Sequence, residues 1–180
     1  MSEFKPSKFK YRTLFRVILE AETPLAVGTG MEDMESDSLI ARDINGLPYI
    51  PGTSITGVVR SILDPGKNNP DFGYAGKENN LGSRIIISDG LILDSKSTVM
   101  DGLRPDAYSD PLLSSYEFLP VRQHVAIESS GAAKRGAKFD NEVVYAGTRF
   151  CIEIEYLSEC QDCGAIKRVI SAMRSGEFRL

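Results

Sequence analysis

A chain of 180 residues with 42% hydrophobic and 26% charged residues has the ordinary make-up of one globular domain, long enough to bury about 70% of the surface its unfolded form exposes. No apolar run approaches a membrane span or signal sequence, and three cysteines, an odd number, make no disulfide framework; together these point to a reducing, cytoplasmic setting without a membrane. The net charge of −4 excludes a uniformly basic nucleic-acid-binding surface, so any positive charge that meets phosphate has to be local and offset by acid elsewhere.

Lys5, Lys8, Lys10 and Arg12 stand against Glu3 alone, which suits a mobile basic arm or a solvated tail, the tail being favoured. From Leu14 to Glu22 the apolar residues Phe15, Val17, Leu19 and Ala21 fall on odd positions, while Arg16, Glu20 and Glu22 interrupt the even ones. This predicts a strand with one buried face, ended by Thr23-Pro24. Between Met31 and Ser38 the chain gathers Glu32, Asp33, Glu35 and Asp37 with no basic partner, a loop of negative potential. It is not an EF-hand, because Ser38 stands at the required glycine and Ile44 at the closing glutamate.

In the run from Gly46 to Arg60, Pro48 and Pro51 lock an extended approach and Pro51-Gly52 turns the chain. A helix follows. Thr53 or Ser54 can accept a bond from its first free N–H groups, and Ile55, Val58, Val59 and Ile62 recur on one face. Gly57 inside it costs roughly 1 kcal/mol relative to Ala, which is most simply explained by close approach of another backbone or a ligand. Gly52 and Gly57 have the separation found in nucleotide-binding phosphate loops, but Val58 occupies the lysine position, which argues against nucleoside triphosphate chemistry. The exposed helix start favours an anion of some other kind.

Asp64 to Gly82 is rich in Pro, Gly and Asn and reads as an irregular connection. Next comes a strand in which Ile85, Ile87, Leu91 and Leu93 alternate with Arg84, Ser88 and Gly90, with Ile86 and Ile92 implying burial on both faces. Asp94 to Tyr116 is turn-rich and too long for an ordinary connection, hence an excursion with a use. Val121–Ile127 and Glu142–Tyr145 are the arms of a hairpin whose tip is Ser129 to Asp140. Thr148 to Leu157 is the cleanest strand, with Phe150, Ile152, Ile154 and Tyr156 facing one way. Ala165, Ile166, Val169, Ile170 and Met173 stripe a helix stopped by Ser175-Gly176, and Glu177 to Leu180 begins another alternation. The fold class is α+β, a β-α-β-β-α-β order with an insertion and a last strand cut short.

The phrase from Arg42-Asp43 to Arg60, centred on Tyr49-Ile50-Pro51-Gly52-Thr53-Ser54-Ile55-Thr56-Gly57, resembles the signature of the RAMP superfamily, the RNA-binding subunits of CRISPR effector complexes. A second block, Gly131-Ala132-Ala133-Lys134-Arg135-Gly136-Ala137-Lys138-Phe139-Asp140 followed by Glu142-Val143-Val144 and Ala146-Gly147-Thr148-Arg149-Phe150, is similar to the second signature of type III backbone subunits. Together they make a match across roughly residues 14 to 180. The resemblance implies a ferredoxin-like (RRM-like) fold in a single domain, 1–180, with residues 94–147 as an inserted excursion that carries a hairpin similar to the family's thumb. It also implies guide RNA and target RNA as ligands, and an effector complex in which like subunits form a filament. Family members continue past this point into a glycine-rich loop, so the chain reads as truncated or as a fragment.

The same resemblance singles out Asp37. In the cutting type III backbone subunits an aspartate in the loop before the signature helix is needed for target-RNA cleavage, and Asp37-Ser38-Leu39-Ile40-Ala41-Arg42-Asp43 aligns with it. Such a carboxylate can bind a divalent cation, Mg2+ or Mn2+, or position a ribose 2′-hydroxyl for in-line attack; the plain alternative is a solvated acidic residue. Lys134, Arg135 and Lys138, set among small residues, are phosphate contacts or simply an exposed basic turn. Arg42 and Arg60 are phosphate candidates or surface ion-pair partners, and Thr53 and Ser54 stand at the anion-favouring helix start.

His124 is the single histidine and reads as structural. Cys160 and Cys163 have half a zinc spacing, with only Cys151 and His124 left to complete it, so zinc is not expected. Tyr49, Tyr74, Tyr108 and Phe139 are stacking candidates or local packing. The expected function is guide-RNA binding with cleavage of the paired target RNA through Asp37. The alternatives are a non-catalytic subunit of the same kind and a guide-processing endoribonuclease, for which His124 alone is thin support.

Overall fold

A computed structural model describes residues 9–28, 39–63, 71–75, 80–129, 131–159, 164–176 and 178–180. In chain order the elements are β1 (Tyr11–Glu20), β2 (Tyr49–Ile50), α1 (Gly52–Leu63), β3 (Tyr74–Ala75), β4 (Asn80–Leu81), β5 (Ile85–Ile87), β6 (Gly90–Ile92), 3-10 turns at Ala107–Ser109 and Leu113–Tyr116, β7 (Val121–Ile127), β8 (Ala133–Glu142), β9 (Arg149–Ser158) and α2 (Gly164–Arg174). The chain is a mixture of α and β with antiparallel pairing. The main sheet runs β1-β9-β6-β2, with β5 also on β9, while β3-β4 and β7-β8 form separate two-stranded ribbons. No described helix is long and apolar enough to cross a membrane.

Contacts divide the chain into two compact units. One comprises 1–17, 52–88 and 152–179. Its core is built from both helices and the sheet: Ile55 and Val59 of α1, Ile166 and Val169 of α2, and Ile152 and Ile154 of β9 are all fully buried. Spacing of three and four residues puts each helix's pair on one stripe, and alternation puts the β9 pair on one face. Gly52 starts α1 where nothing larger fits, since a Cβ there would lie 2.5 Å from the carbonyl oxygen of Ile87 and 2.8 Å from that of Ser88. The opposite face of the sheet is exposed and neutralised within itself: Arg12 donates two 2.7 Å bonds to Glu155, and Arg16 lies 2.6 Å from Glu153.

The other unit, 18–51, 89–151 and 180, packs around Leu47, Ile50, Ile92, Leu113 and Phe150. The excursion is ordered by its own polar groups. Asp94 accepts from the N–H groups of Lys96 and Thr98, and Asp110 from those of Leu112 and Leu113. Buried Leu113 and Tyr116 then tie it to the core, where the Tyr116 hydroxyl and Thr148 Oγ1 lie 3.0 Å apart.

Four local expectations change. Lys10 and Arg12 are not tail, because β1 begins at Tyr11, the Lys10 N–H donates to the Ser158 carbonyl and Arg12 pairs with Glu155. Residues 64–82 are not wholly irregular, because Tyr74 pairs with Leu81 and Ala75 with Asn80. The strand from Ile85 breaks at Ser88-Asp89, and its register on β9 slips: Ile87 opposes Ile154 and Leu91 opposes Cys151, four steps along one strand against three along the other. The extra residue reverses the alternation. Ile86 is therefore 50% exposed while Ile92 is buried, so the two do not share an environment. The hairpin's second arm is Ala133–Glu142, with Lys138 opposite Val125 and Glu142 opposite Val121, and its turn is closed by Glu128 and Ala132. Residues expected at the tip thus form the strand, since cross-strand pairing with β-prone Val121–Ile127 outweighs their weak propensity.

Candidate nucleic-acid interface

The β7-β8 ribbon is a separate antiparallel pair with a solvent-exposed first strand. Residues 121–125 and 127 are all exposed, Val125 and Phe139 at 48% and 40%. Antiparallel pairing sorts its side chains by face. Gln123, Val125, Lys138 and Asp140 share one side; Arg122, His124, Phe139 and Asn141 share the other. On that second side the rings of His124 and Phe139 stack with centroids 5.1 Å apart and planes inclined by 11°. Lys138 is exposed, and Lys134 and Arg135 belong to the same strand, β8. The ribbon therefore offers what a ribose-phosphate strand binds: cations on a narrow, accessible backbone and a flat aromatic surface.

At the start of α1, Thr53 is exposed and Ser54 half-buried, while Thr56 Oγ1 donates to the Gly52 carbonyl at 2.7 Å. Arg60, in the last turn, reaches the Gly73 carbonyl at 3.4 Å. Gly57 is exposed and has no atom within 4 Å of where a Cβ would stand. The close approach of another part of this chain, one of the two explanations for a mid-helix glycine, is therefore not found among the described residues.

Arg42 has partners within the chain, including the ion pair that is the plain alternative to a phosphate contact. Its guanidinium donates to the carbonyls of Gly46 and Tyr116, both at 2.9 Å, and to Glu142 Oε1 at 2.9 Å. Glu142, which the sequence reading did not single out, also accepts the Ile40 N–H at 3.1 Å. No local pattern marks this carboxylate, since its partners lie about a hundred residues away. Tyr108 lies beside the same loop, its hydroxyl 3.0 Å from the position of a Gly46 Cβ. Burial raises its pKa, with Arg42 pulling the other way and Asp43 and Glu117 adding to the rise.

Asp37 and its neighbours Glu32, Asp33 and Glu35 lie outside the described residues, as do Cys160 and Cys163. Their two flanks do meet, because Gly28 and Ile40 form an antiparallel bridge and the Ala41 N–H donates to the Val27 carbonyl. Among the described residues no group of three His, Cys, Asp or Glu side chains is placed to hold a metal, and Cys151 is buried. Tyr49 is half-buried, and the side chain of Tyr74 lies outside the described residues.

Comparison with known proteins adds the following. The sequence model of the RAMP superfamily matches residues 18–164. The chain is 27% identical over 177 residues to a protein of Methanocaldococcus jannaschii named CRISPR system Cms endoribonuclease Csm3, covering 92% of this chain and 71% of that one. Among solved structures, a chain of the type III-B Cmr-beta complex in its apo state superposes with a TM-score of 0.55 at 13% identity, covering 94% of this chain and 89% of that chain. A chain of a type IV-B CRISPR complex gives a TM-score of 0.55 at 19% identity, with coverages of 89% and 80%. At these identities the structural likeness concerns the fold.

Proposed function

The chain belongs to the RAMP superfamily, and from that premise we propose that it is an RNA-binding backbone subunit of a type III CRISPR effector complex. It holds guide RNA, takes part in an assembly with like and unlike subunits, and cleaves the paired target RNA through Asp37. The observation that carries the binding reading is the exposed β7-β8 ribbon, which bears Lys134, Arg135, Lys138 and the His124–Phe139 stack within the stretch matched to the superfamily. The likeness to a relative named an endoribonuclease supports the cutting reading. The split βαβ arrangement, with β9 between β1 and the β5/β6 pair, supports the ferredoxin-like form of the fold.

Phosphate contact falls to the ribbon because the exposed sheet face already pairs Arg12 with Glu155 and Arg16 with Glu153. A chain of net charge −4 concentrates its useful cations there. Asp37 is the residue to orient Mg2+ or Mn2+, or the attacking 2′-hydroxyl, at the scissile phosphate. In the assembled complex, Asp37→Asn should abolish cleavage at the target positions this subunit covers and leave guide binding intact; unchanged cleavage there removes the enzymatic role. Replacing Lys134, Arg135 and Lys138 with alanine should flatten the logarithmic salt dependence of guide-RNA affinity by about 2. An unchanged slope removes the ribbon as the phosphate-binding element.

A further inference from the structure

The guanidinium of Arg42 joins groups that belong to no common stretch of sequence. It holds the Tyr116 carbonyl, just before the segment that enters β7, and the carboxylate of Glu142, the last residue of β8. One side chain thus grips both ends of the hairpin's root. The other oxygen of the same carboxylate takes the N–H of Ile40, the residue whose bridge to Gly28 joins the flanks of the acidic stretch. The surroundings are firm: Ile40 and Ala41 are buried, and the Tyr49 N–H donates to the Ala41 carbonyl. The ion pair is partly buried, with side chains 27% and 14% exposed, so its bonds are screened less than those of a surface pair.

We infer that Arg42 and Glu142 are a positioning pair for RNA binding: they set the hairpin's root against the segment that follows the acidic stretch, and Arg42 acts through that placement, not by touching phosphate. The inference rests on the RNA-binding reading above and adds residues that work at one remove from the ligand. Three acceptors in different directions require a planar fork, which a lysine ammonium cannot reproduce. Glu142 gives the sharper test because it reverses a sign. If charge alone mattered, neutralising an acid near an RNA site would tighten binding; if placement matters, the same change weakens it.

The experiment uses the full chain with Arg42→Lys, Arg42→Gln and Glu142→Gln. It measures guide-RNA affinity across a salt series and hydrogen exchange at the Val143 and Val144 amides, which donate to the Pro120 and Leu25 carbonyls just beyond Glu142. All three variants should lose about tenfold in affinity, keep the wild-type salt slope, and exchange these two amides faster. Arg42→Lys binding like wild type overturns the inference, as does Glu142→Gln binding as tightly or more tightly. So does a salt slope that falls by about 0.7 in Arg42→Gln, the mark of one lost phosphate contact on a single strand. Should Glu142→Gln not fold, Glu142→Asp, which keeps the charge and shortens the reach, carries the same expected losses and the same overturning result. A wild type with no salt-dependent RNA affinity sinks the functional reading, and the exchange data then decide the placement role alone: unchanged protection in the variants removes it.

Discussion

β8 and β9 are both ten-residue strands, and they solve opposite problems. β9 has strand neighbours on both sides and buries Phe150, Ile152 and Ile154 almost completely. β8 pairs with β7 alone, in a ribbon on which Arg122, His124, Val125, Lys138 and Phe139 are exposed. A two-stranded ribbon is marginal by itself, so the hairpin's form is set at its root and at its cross-strand pairs. What its outward side chains do is decided by what binds them. Stability belongs to β9, and under the proposed function recognition belongs to β8.

The comparison breaks most sharply at Ile154, which is fully buried. Ile154→Ala should cost about 2–5 kcal/mol, read from denaturant unfolding; a loss below 1 kcal/mol would mean that β9 is not the structural strand. Gly52 comes next. Its Cβ would collide with two backbone carbonyls at 2.5 and 2.8 Å, so Gly52→Ala should cost about 1–3 kcal/mol through overpacking. The ribbon should behave in the opposite way: the triple alanine variant at Lys134, Arg135 and Lys138 should stay within about 0.5 kcal/mol of wild type in stability while its RNA affinity falls. Unfolding in step with the lost affinity would erase the distinction.

The smallest expected effect lies in the excursion. The Ser95 hydroxyl holds the Asp110 carboxyl below the ordinary carboxylate value; burial opposes this, and the Leu113 and Leu112 N–H groups assist. A lowered pKa stabilises the folded loop above the ordinary value, and that contribution is lost as pH falls through the lowered one. Asp110→Asn should therefore remove the acid-dependent loss of protection at the Leu112 and Leu113 amides, measured by exchange between neutral and acidic pH. A loop that loosens in acid just as the wild type does would show that another carboxylate controls it.

Much of the body could be read directly. The alternation through Phe150 to Tyr156 and the spacing of Ile166 and Val169 reappear as the buried faces of β9 and α2, because both patterns are periodic and local. The break at Ser88-Asp89 was not legible. An uninterrupted apolar run does not reveal which residue is extra until a partner strand sets the register. The hairpin's first arm, Val121–Ile127, is as the sequence predicts, whereas its second arm differs for a related reason: Ala133 to Lys138 has weak strand propensity and extends only because Val121–Ile127 lies beside it. Arg42 offers the clearest contrast. As one cation next to a signature motif it reads like a phosphate ligand, yet its three acceptors come from two distant segments and its own loop.

What the sequence by itself determined is the family, the two amphipathic helices, the central strand and the location of positive charge, all carried by short spacings that local geometry obeys. The tertiary structure alone decided which cations remain outward and which are consumed in holding the fold. That outcome depends on acceptors brought together from segments such as Tyr116 and Glu142, and no periodicity along the chain encodes a meeting across 74 and 100 residues.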